Sequence, residues 1–160
     1  MAFAEGLIDG VQVRELVRYT DDRGWLIELF RADGVDGDIC PVMGYVSVTH
    51  PGITRGPHEH RDQGDWFCFL GPSDFLLVLW DNRADSPTYC NRMRMVVGGS
   101  RAVSVVVPKG VVHGYRNVGA VEGMVVNLPN RLYRGNGATG EVDEIRHELD
   151  SNSGFDMDAI

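Results

Sequence analysis

Apolar residues in this chain come in short runs, and a turn signal interrupts each of them. The run 11–17 leads to Asp21-Asp22-Arg23-Gly24, 25–30 to a Gly- and Asp-rich stretch at 33–38, and 42–48 to Pro51-Gly52. The run 66–70 meets Gly71-Pro72-Ser73-Asp74, 75–80 precedes a polar stretch at 81–87, and 93–97 meets Gly98-Gly99-Ser100. The runs 103–107, 112–115 and 124–128 complete the series, with Pro108-Lys109-Gly110 between the first two. β-Branched and aromatic residues dominate several runs, and breaks every ~8–12 residues mark an all-β sandwich or barrel. Val103-Ser104-Val105-Val106-Val107 and Phe75-Leu76-Leu77-Val78-Leu79-Trp80 are apolar on nearly every position, which predicts strands covered on both faces. Trp66, Phe67, Phe69, Phe75 and Trp80 read as core. Only 141–149 has helical spacing, with Val142, Ile145 and Leu149 at i, i+3 and i+7, and it reads as a short peripheral segment.

A length of 160 residues fits one domain. The expectation is a single unit over 1–160, with its core at about 11–133 and a polar C-terminal extension over 134–160. Lys and Arg number 15 against 23 Asp and Glu, a formal charge of −8. A polyanion binder needs cations to displace counterions, so nucleic acid is not an expected partner. A few placed arginines can still create a local field that holds a small anion. The apolar runs are too short to span a bilayer, and residues 1–6 do not read as a leader, so no membrane partner and a cytoplasmic location are expected. Cys40, Cys68 and Cys90 lack the close pairing of zinc or redox motifs and read as reduced thiols.

The densest chemistry lies in Gly52-Ile53-Thr54-Arg55-Gly56-Pro57-His58-Glu59-His60-Arg61-Asp62-Gln63-Gly64-Asp65. On a strand His58 and His60 share a face, and Pro108-Lys109-Gly110-Val111-Val112-His113 delivers a third imidazole after a turn. Two readings are open at this point. His58, His60 and His113, with Asp65 or Gln63, suit a divalent transition metal without choosing among Zn, Fe, Ni and Mn. Alternatively, one imidazole is a general base and the others line a binding pocket. Plainer roles exist elsewhere: His50 and His147 read as solvated, Lys109 as a turn residue, and Arg23 beside Asp21 and Asp22 as a turn ion pair. Glu28 reads as the polar face of a half-buried strand.

Gly52, then five residues, then His58-Glu59-His60, together with Pro108-x-Gly110-x-x-His113-x-x-x-Asn117, resembles the two motifs of the cupin superfamily; Ala102 stands where the second motif has Gly. The resemblance implies a double-stranded β-helix, or jelly-roll sandwich. A narrower resemblance covers most of the chain. Asp22-Arg23-Gly24-Trp25-Leu26-Ile27-Glu28-Leu29-Phe30, Thr54-Arg55-Gly56-Pro57-His58, Asp81-Asn82-Arg83 with Ser86-Pro87-Thr88-Tyr89, and Pro108-Lys109-Gly110-Val111-Val112-His113-Gly114-Tyr115 are similar to segments of the dTDP-4-dehydrorhamnose 3,5-epimerase family. That resemblance implies a carbohydrate epimerase without a cofactor, acting on a nucleotide-diphosphate 4-keto-6-deoxysugar as a homodimer. It implies His58 as the catalytic base, and Arg55 on the diphosphate or the oxyanion. It implies Arg23 and Glu28 on the nucleotide across the dimer, Tyr133 stacked on the base, and His60, Gln63, His113 and Asn127 around the substrate. The alternatives are a metal-dependent cupin (a sugar isomerase or oxygenase) holding its ion on His58, His60, Asp65 and His113, and a cupin that binds sugar nucleotides without turnover. The chain departs from the family's pattern at named positions. Its sole lysine is Lys109, whereas the family's lysine aligns near Gly64 or Asp65; Asn127 stands where the family has a tyrosine acid; and only Asp156 and Asp158 are near the place of the Asp that orients the base.

Overall fold

A computed structural model describes residues 2–35 and 37–158, so Asp36 of the Gly- and Asp-rich stretch and the outermost terminal positions lie outside the described residues. The strands are β1 (Ala4–Glu5), β2 (Gln12–Glu15), β3 (Arg18–Asp21), β4 (Gly24–Ile27), β5 (Tyr45–Thr49), β6 (Thr54–Glu59) and β7 (Asp65–Gly71). They continue as β8 (Asp74–Asp81), β9 (Asn91–Gly98), β10 (Val103–Val107), β11 (Val111–Asn117), β12 (Gly123–Asn127) and β13 (Ile145–Arg146). One sheet runs β1-β9-β8-β11-β6-β13 and the other β2-β10-β7-β12-β5, while β3 and β4 form a separate hairpin. This is the all-β sandwich expected from the spacing of the runs, in the jelly-roll form that the cupin resemblance implies.

Alternation along the strands makes the core. Phe67 and Phe69 of β7, Phe75, Leu77 and Leu79 of β8, Val103, Val105 and Val107 of β10, and Tyr115 of β11 point between the sheets and are buried together. The intervening residues are buried as well. Val78, Trp80 and Val112 on the outer side of the first sheet lie under Phe3, Phe155 and Met157. Trp66, Cys68 and Val106 on the outer side of the second lie under Leu16, Leu29, Phe30, Val35 and Ile39. Cover on both faces is why these strands carry apolar residues at successive positions. It also widens the core beyond 11–133, since Ile8 and Met157 are 3% and 5% exposed.

The C-terminal segment corrects the helical and peripheral reading of 141–149. Ile145–Arg146 pairs antiparallel with β6, Ile145 opposite Glu59 and Arg146 opposite His58, and a 3₁₀ turn follows at His147–Leu149. Val142 and Leu149 remain exposed, so a helix here would have had no apolar surface to bury against. The open edge of β6, by contrast, offers backbone groups that need partners. His147 is likewise not solvated: its Nε2 lies 2.9 Å from Glu59 Oε1 and its ring rests 4.5 Å from Phe155. His50 does lie at the surface, paired with Glu122.

Candidate active site

The site sits between the sheets at the end where β6, β11, β5 and β12 converge, and a break in strand register builds it. His113 pairs with His58 across β6 and β11, but the register then shifts so that Tyr115 pairs with Arg55. Positions 55 and 58 have odd spacing and would face opposite ways on a regular strand; the bulge turns both toward the interior. Gly56 permits this. It has φ +78°, and a Cβ there would stand 2.6 Å from the His113 carbonyl oxygen. Arg55 then reaches across to the other sheet, its Nε donating to Thr49 Oγ1 (2.9 Å) and its Nη2 to the Val48 carbonyl (2.8 Å).

The three imidazoles converge, with ring centroids 4.4 Å (His58–His113), 5.5 Å (His58–His60) and 5.9 Å (His60–His113) apart. Asp65, 2% exposed, is the group they share. Its Oδ2 lies 3.1 Å from His60 Nε2 and 3.4 Å from His113 Nε2, and its Oδ1 accepts from Gln63 Nε2 (2.9 Å) and Asn127 Nδ2 (2.8 Å). Burial alone would raise the Asp65 carboxyl, but the bonds from His113 and His60 outweigh it and hold the group below the usual carboxylate range. His60 is the counterpart. Burial opposes its charge, yet the bond to Asp65, the Asp65 charge and the Asp143 carbonyl on Nδ1 raise it above the ordinary imidazole value. The Asp143 carbonyl at Nδ1 and Asp65 Oδ2 at Nε2 both favour the charged ring, while Gln63 Nε2 also stands 3.3 Å from Nε2.

His58 differs. Burial first, then the neighbouring His113 and His60, push it down to about 2, so it stays neutral with a lone pair. Glu144 Oε1 stands 3.8 Å from His58 Nε2. His113 donates from Nδ1 to the Val111 carbonyl (3.0 Å), and its buried Nε2 faces Asp65 Oδ2 at 3.4 Å.

Residues after β12 close the cup. The Asp143 carboxylate accepts backbone N–H bonds from Arg61, Asp62 and Gln63, each 2.9 Å, which clamps the loop after His60. Burial raises its carboxyl, and those three donors more than reverse the effect. The resulting cavity is about 1010 Å³, at the upper end of the ~300–1,000 Å³ of ligand pockets, and suits a nucleotide sugar better than a lone monosaccharide. Arg55, Arg131, Arg134 and Arg146 line it, and the first three have no carboxylate partner among the described residues.

The expected residues divide by place. His58, His60, Gln63, Arg55 and Tyr133 line the cavity, with Tyr133 at the rim, 57% exposed. His113 and Asp65 lie one layer deeper. Asn127 is behind the wall, its Oδ1 accepting from Trp66 N–H and its Nδ2 donating to Asp65 and Tyr45, so it holds wall residues in place rather than facing a ligand. Arg23 and Glu28 are not in this chain's cavity: Arg23 pairs with Asp21 on the exposed hairpin, and Glu28 faces Arg31 at 3.4 Å. Lys109 is an exposed turn residue 3.9 Å from Asp62. Tyr45, Asp143 and Glu144 were not anticipated. Alternation of Tyr45, Ser47 and Thr49 on β5 could have pointed to the first; nothing local marks the other two.

The sequence profile of the dTDP-4-dehydrorhamnose 3,5-epimerase family matches residues 5–136. The chain is 35% identical over 127 residues to the probable low-salt glycan biosynthesis epimerase Agl13 of Haloferax volcanii, covering 79% of this chain and 81% of the relative. It is 36% identical over 130 residues to the spore coat polysaccharide biosynthesis protein SpsL of Bacillus subtilis, covering 79% and 83%. In fold it is similar to a dTDP sugar isomerase from Desulfovibrio desulfuricans G20, with TM-score 0.81, 20% identity and coverage of 96% and 94%. It is also similar to an epimerase from Legionella pneumophila solved with dTDP-4-keto-L-rhamnose, with TM-score 0.72, 23% identity and coverage of 89% and 74%.

Replacing Asp65 by Asn leaves the His60 charge buried without its counterion, a loss on the order of 3–5 kcal/mol at neutral pH. A carboxyl held below its unfolded value lends stability that is fully present above that value and is lost as pH falls through the folded one. Because His60, raised in the fold by Asp65, also adds to wild-type stability in mild acid, denaturant unfolding at several pH values should show a gap between wild type and Asp65→Asn that narrows only below about pH 4.

Proposed function

The chain belongs to the dTDP-4-dehydrorhamnose 3,5-epimerase family, and from that premise we propose that it epimerises a nucleotide-diphosphate 4-keto-6-deoxysugar with His58 as the base. The observation that carries this reading is a neutral imidazole on the cavity wall beside a charged one. The 4-keto group acidifies the C–H bonds on either side of it. His58 takes one of those protons, and Glu144 steadies the imidazolium that forms. The electron pair moves toward the ketone oxygen, where the positive charge of His60 favours it. Neither Arg55 nor Arg131 has a carboxylate partner among the described residues, and both suit a diphosphate at the mouth of the cup.

Two features of the outer surface support a homodimer. Val46 and Val48 of β5 and Met124 of β12 form an exposed apolar strip on the outer face, with Met124 opposite Val48. The β3–β4 hairpin, whose flanking Leu16, Leu29 and Phe30 pack on the outer side of the same sheet, exposes Tyr19, Trp25 and Leu26 and carries Arg23. A second copy on this side covers the strip and brings Arg23 and Glu28 to a cavity that they do not reach within their own chain. Such an assembly works in the cytoplasm, where sugar nucleotides are made and consumed.

One observation favours a second reading. The nitrogens of His58, His60 and His113 lie within 4.8 Å of one another, and His113 and His60 each spend Nδ1 on a backbone carbonyl, an arrangement that aims Nε2 at a shared ligand. A divalent metal fits that donor set, and it would polarise a sugar carbonyl there. Against it, Asp65 already bonds His60 and supplies the negative charge that offsets it.

Three measurements test these statements. In D2O with dTDP-4-keto-6-deoxyglucose, the protein should introduce deuterium at C3 or C5, and His58→Asn should slow this by about 10²–10⁴-fold while still binding dTDP; stabilisation by dTDP with no exchange on any 4-keto nucleotide sugar would leave the non-catalytic reading instead. Sedimentation equilibrium should give a dimer for the wild type and a monomer for Val48→Asp, and a monomeric wild type would count against the assembly. Elemental analysis of protein purified without chelator should find no stoichiometric transition metal; an equimolar ion lost on His60→Ala would favour the second reading.

A further inference from the structure

Abstraction from one face explains loss of a proton but not inversion, which needs a donor on the opposite face. Asn127, at the family's tyrosine position, has no acidic proton to give. Its partner in the β5–β12 pairing is Tyr45, on the same inner face of the second sheet. The Asn127 amide has a fixed orientation: Oδ1 accepts the Trp66 N–H at 3.2 Å, so Nδ2 is the donor to both Asp65 Oδ1 (2.8 Å) and the Tyr45 hydroxyl (2.9 Å). The phenol oxygen therefore accepts, and its own hydrogen is left to point into the cavity that Tyr45 lines.

Resting on the epimerase reading, we infer that Tyr45 is the proton donor to the face opposite His58. The two side chains come from opposite walls, His58 from β6 of one sheet and Tyr45 from β5 of the other. Tyr45 is 47% exposed as a residue, but desolvation of its hydroxyl end pushes the phenol up to about 12, against the lowering effect of the Asn127 bond, so it keeps its proton until a strong base such as an enolate carbon meets it. The other phenols are placed for different work. Tyr115 is 5% exposed among Phe67, Phe69 and Phe75 and bonds Ser47 at 3.0 Å, and Tyr133 stands at the rim.

The step balances without a co-reactant. The C–H bond breaks, its proton goes to the His58 imidazole and its electron pair into the enolate. The enolate carbon then takes the Tyr45 O–H proton, forming C–H on the other face and leaving a phenolate that Asn127 Nδ2–H stabilises. Water carries the His58 proton back to Tyr45. Tyr45 thus sets a phenol directly across one register pair from Asn127, in the same part of the cup.

The test is Tyr45→Phe with dTDP-4-keto-6-deoxyglucose in D2O, following deuterium uptake and inverted product together by NMR. Uptake should stay within about tenfold of wild type, while inversion falls by about 10²–10⁴-fold, the range for loss of a general acid. Inversion at the wild-type rate, or uptake and inversion falling by the same factor in a variant that still binds dTDP, would overturn the assignment. A wild-type protein that neither exchanges nor inverts would instead sink the epimerase reading. If Tyr45→Phe does not fold, Tyr45→Phe/Asn127→Tyr decides in its place: inversion there supports a phenol donor at this register pair, and exchange without inversion contradicts it.

Discussion

A single buried carboxylate organises this molecule's functional end. Asp65 takes hydrogen bonds from His60, Gln63 and Asn127 and faces His113, so side chains from both sheets and the intervening loop meet on one group. An isolated carboxylate in such a place would be driven to its neutral form. Here the donors keep it charged, and its charge in turn raises His60 and favours the protonated ring. His58, buried in the same cluster but facing the cavity, receives no such support and stays neutral. Three chemically equivalent rings thereby acquire different roles from their neighbours alone.

The jelly roll makes this possible by setting two walls face to face. Strand β6 delivers His58 and Arg55 to one wall through the bulge at Gly56, and β5 and β12 deliver Tyr45 and its anchoring amide to the other. The segment after β12 completes the enclosure. Asp143 ties it to the loop after His60, β13 pairs with β6, and Met157 buries itself against Trp80 and Val112. Glu144 rides on this segment and comes to 3.8 Å from His58, so the carboxylate nearest the base depends on the docking of a stretch that carries little apolar surface of its own.

Much of this was legible in the chain. The spacing of short β-branched runs marked an all-β sandwich or barrel, the motif resemblance narrowed it to a jelly roll, and the alternation of His58 and His60, with His113 after a turn, pointed to three imidazoles in one cup. Arg55 was legible only as a motif residue, because its odd spacing from His58 hides the bulge that brings them together. Residues 141–149 misled: their helical spacing is real, but an unpaired strand edge and the Asp143 clamp decide their conformation, and both are long-range partners invisible to local periodicity. Asn127, expected around the substrate, directs its hydrogen bonds to Asp65 and Tyr45. Tyr45 went unnoticed because its importance arises from register across strands far apart in sequence.

The division of charge among the imidazoles is the central claim, and long-range ¹⁵N–¹H correlation of the histidine side chains tests it without any substrate. At pH 7 the account requires His60 to carry protons on both ring nitrogens and His58 to be neutral and remain so down to pH 5. A neutral His60, or a His58 that titrates near the ordinary imidazole value, would contradict it.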